Sequence, residues 1–184
     1  VIGGAPQVIY GAGNGWCYAM DPKNGDVLWQ FNLNPPDAKY VLGGRGTANE
    51  VIATPVIVGD HVFVCVGQDP EHGEGIGHFH CIDATKRGDI TATGKVWHLG
   101  GEDFHRSMST CAVKDGLCYA ADLSGFLHCI DAKTGKTLWT HDTFAAIWGS
   151  PYVVDGKVML GTESGEVFVL QHGRELELLG TMDM

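Results

Sequence analysis

Charged and imidazole-bearing residues that could do chemistry gather in three irregular stretches: 32–50 (NLNPPDAKYVLGGRGTANE), 67–77 (GQDPEHGEGIG) and 100–107 (GGEDFHRS). Together they present Arg45, Asn49, Gln68, Asp69, His72, Glu102, Asp103, His105 and Arg106, with Glu50, Glu71 and Glu74 among them. Arginine and histidine beside carboxylates suit general acid–base chemistry, or the charge-assisted capture of an anionic ligand. The plainer reading is a set of solvated loop charges bridging one another, because charged side chains mostly stay exposed. Trp148, in the WGS segment, adds an aromatic near the same rim, where packing is the simpler role. These residues are candidates for a ligand-binding face, and none is assigned as catalytic.

The histidines invite a metal reading. His72, His78 and His80 offer nitrogen donors with Glu71 and Glu74 nearby, and His78 and His80 share one side of a strand. His80, however, sits at a position that elsewhere holds Tyr18, His128 and Phe168, which marks it as a place for an aromatic ring. Spacing without a closed ligand set assigns no metal, and the three histidines stand as weak candidates. The sequence has no GxSxG, GxxxxGK[ST] or HExxH, so hydrolase, NTPase and metalloprotease readings lack support. GAGNG at 11–15 joins two strand-like runs with no helix to follow, so the setting of a dinucleotide loop is missing.

The 184 residues suffice for one domain with a sizeable core. A formal charge of −10 argues against nucleic acid and against an anionic membrane surface. No apolar run approaches the ~20 residues of a membrane helix. Hydrophobic residues make up 44% and charged ones 18%, with 27 glycines, which suits sheets covered on both faces and joined by tight turns.

These candidates are positioned by a repeat. Residues 109–139 read as four short apolar runs, each broken by a glycine-containing turn, ending in Trp139. Such runs are strand signals, and one unit is a four-stranded antiparallel meander. Asp131, Gly135 and Trp139 match Asp21, Gly25 and Trp29; Gly116 and Gly125 return as Gly156 and Gly165; a longer copy carries Asp83 and Trp97. A period near 40 residues with four strands per unit predicts an all-β propeller, with an incomplete blade 1 (1–33), blade 2 (51–99), blade 3 (107–141) and blade 4 (148–180). By alignment the inner strand of blade 1 falls upstream of Val1, so the chain is expected to be a fragment of a larger ring of about seven or eight blades. Two copies closing one ring is the second possibility. Either way the open edges await further blades or a copy.

Within the repeat, Trp29, Trp97 and Trp139 read as inter-blade packing, and Asp21, Asp83 and Asp131 as caps of the turns that follow them. The six cysteines (17, 65, 81, 111, 118, 129) fall in strands and read as small buried residues. Cys118 and Cys129 face each other if the intervening turn is a two-residue loop, and not if it has three residues with Gly125 as a bulge. Strand parity puts the three irregular stretches on one face, which is where function is expected.

Ala19-Met-Asp21-x-x-x-Gly25-x-x-x-Trp29 and Cys129-Ile-Asp131-x-x-x-Gly135-x-x-x-Trp139 resemble the tryptophan-docking repeat of the pyrroloquinoline-quinone-like (PQQ-like) β-propellers. Cys129 stands where that repeat usually has alanine, the Trp97 copy has a longer turn, and the last copy, FVLQHGRELELLG, lacks both Asp and Trp. The resemblance covers essentially the whole chain. It implies a location in the periplasm or cell envelope, in a family that holds both quinoprotein dehydrogenases and cofactor-free members such as the outer-membrane assembly lipoprotein. The favoured expectation is a non-catalytic scaffold without cofactor, binding a protein or small-molecule ligand on the loop-rich face. The alternative is part of a dehydrogenase of alcohols or sugars, which the resemblance equips with PQQ, calcium, an Asp base and often an adjacent cysteine pair; this sequence has no such pair.

Overall fold

Each short run rich in Val, Ile, Phe, Tyr or Cys becomes a strand, and each Gly-Asp-Asn cluster between them a turn. The structure, a computed structural model, describes residues 1–41, 46–68 and 76–184. The first sheet contains β1 (Val8–Gly11), β2 (Trp16–Met20) and β3 (Val27–Asn32). The second contains β4 (Val56–Val58), β5 (His61–Gly67), β6 (Ile76–Asp83) and β8 (Lys95–His105), whose enlarged last turn carries β7 (Gly88–Asp89). The third holds β9 (Ala112–Lys114), β10 (Leu117–Ala121), β11 (Phe126–Asp131) and β12 (Thr137–Asp142); the fourth holds β13 (Tyr152–Val154), β14 (Lys157–Gly161), β15 (Glu166–Gln171) and β16 (Leu178–Asp183). Strands within a sheet follow one another in antiparallel order, with one exception. β7 leaves the second sheet and adds to the outer edge of the first, parallel to β3, with Gly88 opposite Trp29 and Asp89 opposite Gln30.

The sheets stack face to face as propeller blades in an open arc. Cys17, Ala19, Trp29 and Phe31 pack on Val62, Val64, Val66 and Ile82 between the first two sheets. Phe63, Phe79 and Trp97 meet Cys111, Cys118 and Ile130 between the next two, and Tyr119, Cys129 and Trp139 meet Val158, Leu160 and Phe168 between the last two. Because both faces of a middle sheet are covered, β10 is buried at all five positions instead of alternating. The inner rim is tied by hydroxyls at matching repeat positions: Thr54 N–H donates to Thr110 Oγ1 at 3.0 Å, and Thr110 N–H to Ser150 Oγ at 3.0 Å.

Two of the repeat tryptophans dock directly on the turn of the next blade, and the third does so through a glutamine. Trp97 Nε1–H donates to Ala132 O at 3.0 Å and Trp139 Nε1–H to Gly173 O at 3.2 Å. Trp29 reaches Gln7 Oε1 at 2.9 Å, and the same Gln7 amide donates to Ala84 O, the counterpart of Ala132, so a glutamine spans the gap that the enlarged turn opens. Gly135 shows why the receiving turn needs glycine: its φ is +74°, and a Cβ there would lie 2.7 Å from the Trp97 indole. Gly25 has the same backbone, with nothing within 4 Å of that point.

The turn-capping aspartates accept backbone N–H groups: Asp21 Oδ1 from Lys23 at 2.8 Å, Asp83 Oδ1 from Thr85 at 3.0 Å, and Asp131 Oδ1 from Thr134 at 3.0 Å. The Thr85 hydroxyl holds the Asp83 carboxyl below the usual carboxylate range, and Arg174 does so for Asp131 across the blade boundary at 2.9 Å. Two lengths differ from expectation. β8 continues past 99 to His105, converting most of the 100–107 stretch from loop to strand, and β16 continues past 180 to Asp183. All six cysteines are free and buried. Ala121 pairs with Leu127 and Cys118 with Ile130, so the turn is the three-residue form with Gly125 at φ +98°, and Cys118 and Cys129 point to opposite faces.

Candidate functional site

The turns between second and third strands and the crossovers between blades share one face, tied by backbone bonds such as Val51 N to Ala12 O, Leu123 N to Arg106 O and Glu163 N to Ala146 O. This scaffold divides the candidates read from sequence. Arg45, Asp69 and His72 lie outside the described residues. Asn49 is buried, its N–H donating to Asn34 Oδ1 at 2.7 Å and its Nδ2 to Leu33 O at 2.9 Å, so its polar groups hold the crossover in place. Arg106 is buried with its stem against Gly67, where a Cβ would meet Arg106 Cγ at 2.6 Å. Glu102 and Asp103 are exposed on β8, Gln68 donates to Thr47 O at 3.4 Å, and half-exposed Trp148 donates Nε1–H to Glu163 Oε2 at 3.0 Å.

What collects on this face is a cleft of about 400 Å³ over the first sheet, lined by Asn14, Trp16, Asn32, Asn34, Pro35 and Tyr40 among others. Amide side chains and aromatic rings suit an uncharged hydrogen-bonding ligand. None of these residues was singled out from sequence, because each alone reads as an ordinary turn or strand-end residue. Their convergence follows from the Asn34 amide, which bonds Asn14 O at 2.9 Å and Asn32 Oδ1 at 2.8 Å.

The densest polar cluster is one that the sequence concealed. Asp122 is fully buried at the end of β10. Its Oδ1 accepts the Ser124 and Phe126 N–H groups at 3.1 and 3.2 Å, and its Oδ2 accepts His128 Nε2–H at 2.9 Å. His105 Nδ1 lies 3.4 Å from that oxygen. A carboxylate only accepts, so His128 carries its proton on Nε2, and Nδ1 accepts the Thr140 hydroxyl at 3.2 Å. His105 is therefore brought onto an internal carboxylate, and the ensemble pins the crossover from β8 to the turn between β10 and β11.

The equivalent cluster in the second sheet is different. His80 lies opposite His98 and next to His78 on the face toward the first sheet, edge-on to Phe31. His78 Nδ1 and His98 Nε2 are 2.9 Å apart, the His80 and His98 rings stack at 4.4 Å, and one ring nitrogen from each of the three histidines falls within 4.8 Å of the others. His80 is 8% exposed, and neither of its ring nitrogens has a hydrogen-bond partner. Burial holds His80 well below the usual imidazole range and His98 at about 4, with the neighbouring histidines and Lys95 adding to the effect.

The inner strands and the buried carboxylate described do not fit PQQ and calcium. Calcium takes oxygen ligands. The inner strands that would line the ring axis read VIV, AVK and YVV, and the buried Asp122 carboxylate is already saturated by N–H donors.

Comparison with known proteins agrees with this arrangement. The profile of the family described as outer membrane protein assembly factor BamB matches residues 77–175, more than half of the chain. An outer membrane protein assembly factor BamB of Kangiella koreensis is 25% identical over 90% of this chain and 48% of its own. The quinohemoprotein alcohol dehydrogenase ADH-IIG of Pseudomonas putida is 40% identical, over 39% of this chain and 12% of its own. Among solved structures, BamB from Moraxella catarrhalis superposes with a TM-score of 0.65 at 22% identity, covering 96% of this chain and 48% of that one, a likeness of fold. The chain thus spans at most about half the length of these relatives. A blade repeat anchored by docked tryptophans, matched by that profile over most of three sheets, makes this chain a member of the BamB-type PQQ-like propeller family.

Proposed function

We propose that this chain is a non-catalytic propeller module of the bacterial envelope that docks a protein segment or a small ligand on its loop-rich face. The observation that carries this reading is the cleft over the first sheet, whose asparagines and aromatic rings match the amide groups and side chains of an extended peptide. The polar groups best placed for acid–base work, Asp122 and His128, are instead enclosed and mutually bonded. The names of the BamB relatives, as assembly factors, point the same way. The second reading, part of a PQQ- and calcium-dependent dehydrogenase, draws on the 40% identity to a quinohemoprotein alcohol dehydrogenase. Titration of tryptophan fluorescence with PQQ and calcium, followed by alcohol- and sugar-dependent dye reduction, separates the two. The proposal expects no saturable quenching and no turnover; turnover by the full-length protein selects the dehydrogenase.

The arc belongs, on this reading, to a larger ring. Tyr10, Trp16, Tyr18 and Met20 form an outward face on the first sheet, as Tyr152, Val154, Met159, Val167 and Val169 do on the fourth. Both are apolar enough to require a cover. Gly25 has the backbone that receives a docked tryptophan at Gly135, which favours further blades over a second copy as that cover. A concentration-dependent dimer with a closed ring, seen by sedimentation and confirmed in its structure, transfers the role to the second copy.

A further inference from the structure

We propose that His78, His80 and His98 bind one divalent first-row transition metal of the zinc type between the first and second sheets. Three imidazoles with an open fourth position are a donor set for such an ion, whereas calcium and magnesium prefer oxygen. Tetrahedral zinc with Zn–N bonds of 2.0–2.1 Å separates its ligand nitrogens by about 3.3 Å. His78 Nδ1 and His98 Nε2 already stand 2.9 Å apart, and one ring nitrogen of each of the three histidines lies within 4.8 Å of the others.

Two further observations point to a ligand. His80 is more than nine-tenths buried, and both its ring nitrogens lack a hydrogen-bond partner, a state that buried polar groups rarely tolerate. Gly100 leaves the space in front of the nitrogens open, because a Cβ there would stand 2.7 Å from His78 Nδ1 and 3.0 Å from His98 Nε2. The exposed side of His98 supplies the entry path and leaves the fourth position to water.

The test uses the full chain without a histidine tag, stripped by a chelator and titrated with Zn²⁺, Co²⁺ and Ca²⁺. One equivalent of Zn²⁺ is expected by calorimetry, Co²⁺ develops the visible absorption of a tetrahedral nitrogen site, and Ca²⁺ produces neither signal. His98→Ala and His78→Ala each weaken Zn²⁺ binding by more than about 100-fold, exceeding the usual loss for an outer-shell partner. Gly100→Ala weakens it with all three ligands retained. His80→Phe, a ring already present at the matching Phe168 position, abolishes binding in a chain whose far-ultraviolet circular dichroism is unchanged. No saturable binding by the parent chain, or an affinity in His98→Ala equal to that of the parent, overturns the proposal.

Discussion

His80 and His128 occupy one repeat position in neighbouring sheets, and their surroundings could hardly differ more. On β11, His128 donates to Asp122 and accepts from Thr140, so both nitrogens are satisfied inside the protein. Around His80 on β6, Val66 of β5 stands in place of Asp122, and His98 of β8 in place of Thr140. The same imidazole is thus a structural pin in one blade and an unsatisfied donor set in the next. A repeat fixes where a side chain sits and which way it faces. What the side chain does depends on two partners contributed by other strands.

Substitutions can break this comparison, beginning with the largest effect. Asp122→Ala removes a fully buried acceptor and strands His128, with an expected loss of about 3–5 kcal/mol in urea unfolding. His128→Phe deprives the Asp122 carboxylate of a donor and costs about 1–3 kcal/mol, whereas His80→Phe, measured without metal, is neutral or stabilising because it removes two unpaired polar atoms. Equal losses at the two positions would mean that the contrast has no energetic content. Thr140→Val removes the weaker bond to His128 and costs about 1 kcal/mol.

A pH series sharpens the contrast further. The folded-state values of His80 and His98 lie below that of an unfolded histidine, so the unfolded chain takes up protons that the folded chain refuses. The associated stability is complete above about pH 6.5 and declines as the pH falls toward about 4. His80→Phe is expected to flatten that part of the stability profile, and a profile of unchanged steepness would deny His80 any part in it.

Much of the fold was legible because it rests on repetition. The tryptophan, aspartate and glycine spacings revealed the four-stranded all-β repeat without knowledge of any contact. The site was less legible. Asp122 reads as an ordinary turn residue, and the histidines it gathers are 6 and 17 positions away. His98 reads as a polar neighbour of Trp97. Its pairing with His80 was available only by carrying over the register in which Cys129 opposes Trp139, since Cys81 opposes Trp97 in the same way. The stretch 100–107 reads as loop because two glycines and two acids depress strand propensity, and pairing with β6 overrides that local preference. Gly88-Asp89 is too short to carry any periodic signal.

That two-residue strand has an effect out of proportion to its length. The Ile90 N–H bonds Gln30 O at 2.9 Å and the Thr91 hydroxyl accepts the Asn32 N–H at 3.0 Å, so a finger from one blade grips the outermost ribbon of its neighbour. Elsewhere in the arc the blades are joined by packed faces and by side-chain bonds at the inner rim and docking turns, whereas these two also share a strand pairing. They are expected to open as one cooperative unit, so that amide protons of Ile90 and Asn32 exchange with deuterium at the same rate as those in the core of the pair.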